Sequence, residues 1–188
     1  MKVHDIVRAL RWLALVPALL FPLSARGQLT ASGTINATLI NRNGIALVFN
    51  SDPSGVSLGG GGTSAASLNF GTIEAYGTLS AGVTETNVGA NSFTVRTYFD
   101  VEVSEGGLNS NSYTLSARLA AAAPTGLGYV LDGVTLTTTA QNIQTNGTYD
   151  ANVQHSLSLV VSTAAPGAGG PTVGSPLTTT LDFTATSN

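Results

Sequence analysis

An all-β chain folded as an antiparallel β-sandwich is what this sequence predicts, and three observations predict it. Apolar and polar residues alternate with a period of two in several segments. Turn dipeptides such as Asn43-Gly44, Asp132-Gly133 and Asn146-Gly147 stand between those segments. No stretch carries a helical period; residues 119–123 come nearest, and Pro124 stops them.

The first 27 residues read as a signal peptide that is cleaved. Lys2, Arg8 and Arg11 make a basic start, an apolar run covers 12–23, and Ala25, Arg26 and Gly27 precede a predicted cut ahead of Gln28. Pro17 and Pro22 interrupt the run, which is shorter than the roughly 20 apolar residues a membrane span needs. The expected product passes through the periplasm and is secreted or held at the cell surface, with no membrane insertion after cleavage.

Residues 28–188 are expected to form one domain, since 161 residues suffice for a proper core. The chain has no cysteine, so an exported form must rely on burial and strand pairing without disulfides. Its only lysine and only tryptophan, Lys2 and Trp12, lie in the leader. After cleavage three arginines (Arg42, Arg96, Arg118) face nine acidic residues, a net charge of −6. Three scattered arginines make no basic stripe, which excludes nucleic acid as a partner.

Residues 28–39 open the body with unbroken alternation: Leu29, Ala31, Gly33, Ile35, Ala37 and Leu39 against Thr30, Ser32, Thr34, Asn36 and Thr38. The pattern fits two readings alike, the first strand of a self-contained sandwich and a strand that leaves its own domain to complete a neighbour's sheet. The Asn43-Gly44 turn is expected to join residues 37–42 to 45–49 as a hairpin. A short strand is expected around Leu68, Asn69 and Phe70. The strongest strand is 92–104, with Phe93, Val95, Thr97, Phe99, Val101 and Val103 on one face and Thr94, Arg96, Tyr98, Asp100 and Glu102 on the other. Residues 105–111 are rich in Gly, Asn and Ser, so 92–104 is expected to pair with 113–119 as an antiparallel hairpin.

Asp132-Gly133 is expected to join 129–131 to 134–138 as a hairpin, and Asn146-Gly147 to mark a further hairpin ahead of a strand over 153–161. Leu177, Thr179, Leu181, Phe183 and Ala185 share one face of the last strand. Two low-complexity pieces remain. Residues 59–62 are a glycine run expected to be a flexible loop, and the Ala/Gly/Pro-rich 163–176 is expected to cross between sheets. Short strands with turns between them predict Greek-key, immunoglobulin-like connections. A transmembrane barrel would instead need aromatic girdles, and the five Phe and five Tyr scattered after residue 27 supply none.

The chain is poor in reactive side chains, and it is expected not to be an enzyme. His155 is the one histidine past the leader, and it shares a strand face with Val153, Leu157, Leu159 and Val161, the setting of a hydrogen-bonded core residue. No Gly-x-Ser-x-Gly elbow accompanies it, and a zinc site lacks ligands, so no catalytic residue, cofactor or metal is expected. Asp100 and Glu102, with Glu105 beyond, are expected to form a solvated face with Arg96 and Arg118 rather than a calcium site. Residues 52–55 read as a turn. The sequons at Asn36 and Asn146 are chance matches beside a bacterial-looking leader.

The alternating segment with Gly33 inside it, the run Leu68-Asn69-Phe70-Gly71-Thr72-Ile73, and the closing Leu181-Asp182-Phe183-Thr184-Ala185 resemble exported pilin-like sandwiches. The nearest are spore coat protein U-like domains and the subunits of archaic chaperone–usher pili. Many members carry a disulfide; this chain has none. The resemblance implies a structural subunit of an extracellular fibre, pilus or matrix that polymerises by β-strand addition. Residues 28–39 would then be the donor strand, with Leu29, Ala31, Gly33, Ile35, Ala37 and Leu39 as the exchanged row. Its partners would be other copies or related subunits, with a periplasmic chaperone and a secretion pore. The alternative is a secreted carbohydrate-binding adhesion module working as a monomer, for which Tyr76 and Tyr98 are the candidate ligand contacts.

Overall fold

Alternation survives strand by strand, and it builds two sheets. The computed structural model describes residues 29–37, 44–107, 110–162 and 176–188. The expected signal peptide, Leu39 of the candidate donor segment, Arg42, and residues 163–175 of the predicted crossover lie outside the described residues. One sheet has the strand order β3 (Ala65–Ile73), β1 (Leu29–Ala37), β11 (Pro176–Ser187), β6 (Tyr113–Leu119), β9 (Gln141–Gly147). The other runs β2 (Ile45–Asn50), β5 (Ser92–Glu105), β10 (Asn152–Ser162), β7 (Leu127–Leu131), β8 (Val134–Thr135), and β4 (Thr84–Val88) also pairs with β5. No helix occurs among the described residues. The chain is all-β, and its two sheets pack face to face as a sandwich.

The core lies between the inner rows. Phe183 of the first sheet packs edge-on against Phe49 and Phe99 of the second, with ring centroids 5.2 and 6.0 Å apart. All three rings are fully buried. On β5 the expected inward row Phe93, Val95, Thr97, Phe99, Val101 and Val103 is buried throughout. Thr97 is its one polar member. Its hydroxyl accepts from Val56 N at 3.0 Å and donates to the Gly82 carbonyl at 2.8 Å, tying two loops to the strand.

Two expected hairpins are not formed. β5 pairs with β10, β2 and β4, while β6 pairs with β11 and β9, so the runs 92–104 and 113–119 stand in opposite walls. Both bury one face, which is all that alternation reports; it does not say which strand lies alongside. β1 and β2 fall in different sheets, and residues 38–43, which hold most of the arm expected to pair with 45–49, lie outside the described residues. β9 and β10 also separate. Gly147 is glycine for a packing reason, since a Cβ there would sit 2.3 Å from Tyr113 Cζ. The Asp132-Gly133 hairpin does form, with φ of 49° and 83° and Leu131 opposite Val134.

Among the described residues, pairing is antiparallel except in one ladder, where β1 runs parallel to β11. The first sheet is therefore mixed, where a purely antiparallel one was expected. The Leu68–Ile73 run forms β3 around a bulge. Ala31 pairs with Gly71 and Ser32 with Asn69, leaving Phe70 as the extra residue. Gly71 has φ of 71°, and its N–H is held at 2.8 Å by Asn69 Oδ1. The bulge resets the alternation, so Ile73 is buried in place of Thr72.

Candidate functional site

β1 is an interior strand of its own sheet, bonded to β3 along one edge and to β11 along the other. Of the six residues predicted as an exchangeable row, five are placed on it. Ala31 and Ile35 are buried and Gly33 is half-buried. The backbones of Leu29 and Ala37 pair with Ile73 and Phe183. Leu39 lies outside the described residues. Gly33 sits between Leu68 of β3 and Thr179 of β11.

Beneath Gly33 the core holds a small cavity. β1, β3 and β11 form its roof, and Tyr129, Leu157 and Leu159 of the opposite sheet form its floor. The wall is almost wholly apolar. A Cβ built on Gly33 would meet nothing closer than the Leu68 and Thr179 carbonyl oxygens, each at 3.8 Å. Burial pushes the Tyr129 phenol up, and its hydrogen bond with Thr179 opposes this.

The two candidate ligand tyrosines stand on different elements. Tyr76 lies on the loop after β3 and is 72% exposed. Tyr98 lies half-buried on the outer face of β5, opposite Ser156. The backbone of Gly55 is packed so closely against it that a Cβ would fall 1.9 Å from the Tyr98 carbonyl oxygen.

His155 points into the core, 2% exposed, and its Nδ1 lies 2.6 Å from Asp132 Oδ2. An ionised carboxylate can only accept, so Nδ1–H donates. Nε2 is buried and has no hydrogen-bond partner among the described residues. The Asp132 Oδ1 atom accepts from Ser156 N at 2.7 Å and from Ser156 Oγ at 3.2 Å. Burial pushes the Asp132 carboxyl up, but the bonds from His155 and Ser156 outweigh it and hold the group below its ordinary value. Sequence reasoning missed this pairing because the turn residue and the strand residue are 23 positions apart.

On the outer face of the second sheet, Asp52 accepts from Ser54 and from Gln154 Nε2 at 2.7 Å, which holds its carboxyl low. Asp100 beside it is pushed up, first by burial and then by the Asp52 charge. Of the expected face, Arg96, Asp100 and Glu102 share the outer side of β5, but Arg118 does not join them. Arg118 belongs to the other sheet, where its Nη2 lies 3.2 Å from Asp182 Oδ2, and Arg96 Nε donates to Ser158 Oγ. Among the described residues no group of three His, Cys, Asp or Glu is placed to hold a metal ion. No known family model matches the chain, and no curated protein matches it.

Proposed function

We propose that this chain is an exported structural subunit of an extracellular fibre, pilus or matrix, and that it polymerises by β-strand addition with β1 as the exchanged strand. One observation carries the reading: a nine-residue segment fills an interior slot between two strands that run opposite to each other. An insert in such a slot is parallel to one wall and antiparallel to the other whichever way it enters. A strand from a second copy would therefore meet the same two kinds of ladder. An empty slot would leave Leu68, Phe70 and Leu181 facing water, so the fold favours keeping it filled. Head-to-tail exchange does not close on itself and gives a filament.

The basic and apolar opening of the sequence supports export by a cleaved signal peptide, and a periplasmic chaperone and secretion pore would shield the slot in transit. Consecutive strands change sheet at most connections, which supports Greek-key, immunoglobulin-like wiring. The burial of His155 supports a non-catalytic role.

The test uses the absence of native cysteine. Thr34 and Ser67 are exposed and directly opposite on β1 and β3, so a Thr34→Cys/Ser67→Cys pair should form a disulfide that locks β1 at home. Oxidised protein is expected to give no filaments by negative-stain microscopy and no ladder on unboiled gels, and reduction should restore both. Filaments from the locked form, or none from the reduced form, overturn the reading. Strong exposure of Tyr76 favours the second reading, monomeric sugar adhesion. That reading expects glycan-array binding that is lost in Tyr76→Ala or Tyr98→Ala.

A further inference from the structure

The cavity under Gly33 lies where an interior strand should be packed most tightly. The inward row of β1 offers Ala31, Gly33 and Ile35, whereas β10 in the facing sheet offers Leu157, Leu159 and Val161. Small side chains on β1 thus leave a void between the sheets, one that an apolar wall keeps dry. The backbone does not force this choice. Gly33 has no positive φ, and a Cβ there would make only ordinary contacts at 3.8 Å. An interior glycine also carries no side chain to hold its strand against its neighbours.

We infer that the void under Gly33 is a built-in release point, which lets β1 open from the middle of its sheet while β5 and β10 stay closed. The row on β10 carries several more buried methylene-sized groups than that on β1, and each such group alters an opening equilibrium about fourfold. The parallel β1–β11 ladder adds to the difference, being slightly weaker per residue than an antiparallel one. The inference concerns the monomer alone and holds whether or not the chain polymerises.

Native-state hydrogen exchange on size-selected monomer tests it. Amides of β1 are expected to exchange at least about a hundredfold faster than those of β5 and β10. Gly33→Ala should slow β1 exchange, and the control is Gly128→Ala. Gly128 is an interior strand glycine whose Cβ would touch Val160 Cβ at 3.6 Å, away from the void. That control carries the backbone part of the effect, so slowing at β1 by about fourfold more than at β7 marks filling of the void. Exchange of β1 at the rate of β10, or equal slowing by the two substitutions, overturns the inference.

Discussion

Replacing Asp132 by alanine should unfold this protein more readily than any other surface-accessible change to its second sheet. The substitution removes the acceptor for His155 Nδ1–H at 2.6 Å and for Ser156 N–H at 2.7 Å. The ring nitrogen is then left inside the core, where its neighbour Nε2 already has no partner among the described residues. Hydrogen bonds to a charged group contribute about 1.5–3 kcal/mol, and a stranded buried donor costs about 1–3 kcal/mol more. Alanine must also take up φ near 49°, a region that costs a non-glycine residue about 1–2 kcal/mol and that Asp tolerates better. Partial exposure of Asp132 tempers these figures, and a loss of about 3–5 kcal/mol is expected. Urea unfolding followed by circular dichroism measures it directly. A cycle with His155→Leu isolates the pair, because removing both polar partners should restore part of the loss. Stability within about 0.5 kcal/mol of the parent for Asp132→Ala would refute the reasoning.

Other outcomes follow from the same contacts. Asp132 has a lowered folded pKa, so its contribution is present above the ordinary carboxylate value of 3.8 and is lost as pH falls through the folded one; urea midpoints of Asp132→Asn should be flatter across that acid range. Asp100 is raised, so its ionised form costs stability at neutral pH and the cost is relieved as pH falls; Asp100→Asn should raise the midpoint at pH 7 and leave it unchanged once both are neutral. Thr97→Val keeps the shape but strands Val56 N–H, and a loss of about 1–3 kcal/mol is expected in thermal melts. Gly147→Ala drives a methyl into the Tyr113 ring and should cost about 1–3 kcal/mol, with the near-ultraviolet signal of the Tyr113–Tyr149 pair altered.

Inner faces were legible from the sequence because burial leaves a period of two. Phe93 to Val103 and Leu177 to Ala185 needed no other information. Neighbour relations were not legible. Tyr113, Leu115, Ala117 and Leu119 alternate as cleanly as β5 does, yet they stand in the opposite sheet instead of pairing with it. A turn dipeptide predicts a hairpin only when both flanking strands share a sheet, as at Asp132-Gly133. At Asn146-Gly147 the same chemistry serves a change of layer, and the glycine answers to Tyr113. The interior place of β1 was hidden for a related reason. Its row of Leu, Ala, Gly and Ile marks a strand, but both of its partners are distant in sequence. The bulge at Gly71 was readable as a glycine within a strand, though not its effect of turning Ile73 inward.

The parallel ladder between β1 and β11 also bears on tension. Force that draws the segment before Leu29 away from the segment after Ser187 slides these two strands past each other lengthwise. Eight residue pairs, from Thr30 with Pro176 to Ala37 with Phe183, then carry the load together instead of parting one by one. Pulling at Leu29 and Ile73, which face each other at one end of the β1–β3 ladder, would instead peel the strands apart in sequence. Optical-trap measurements should find the first geometry markedly stronger than the second.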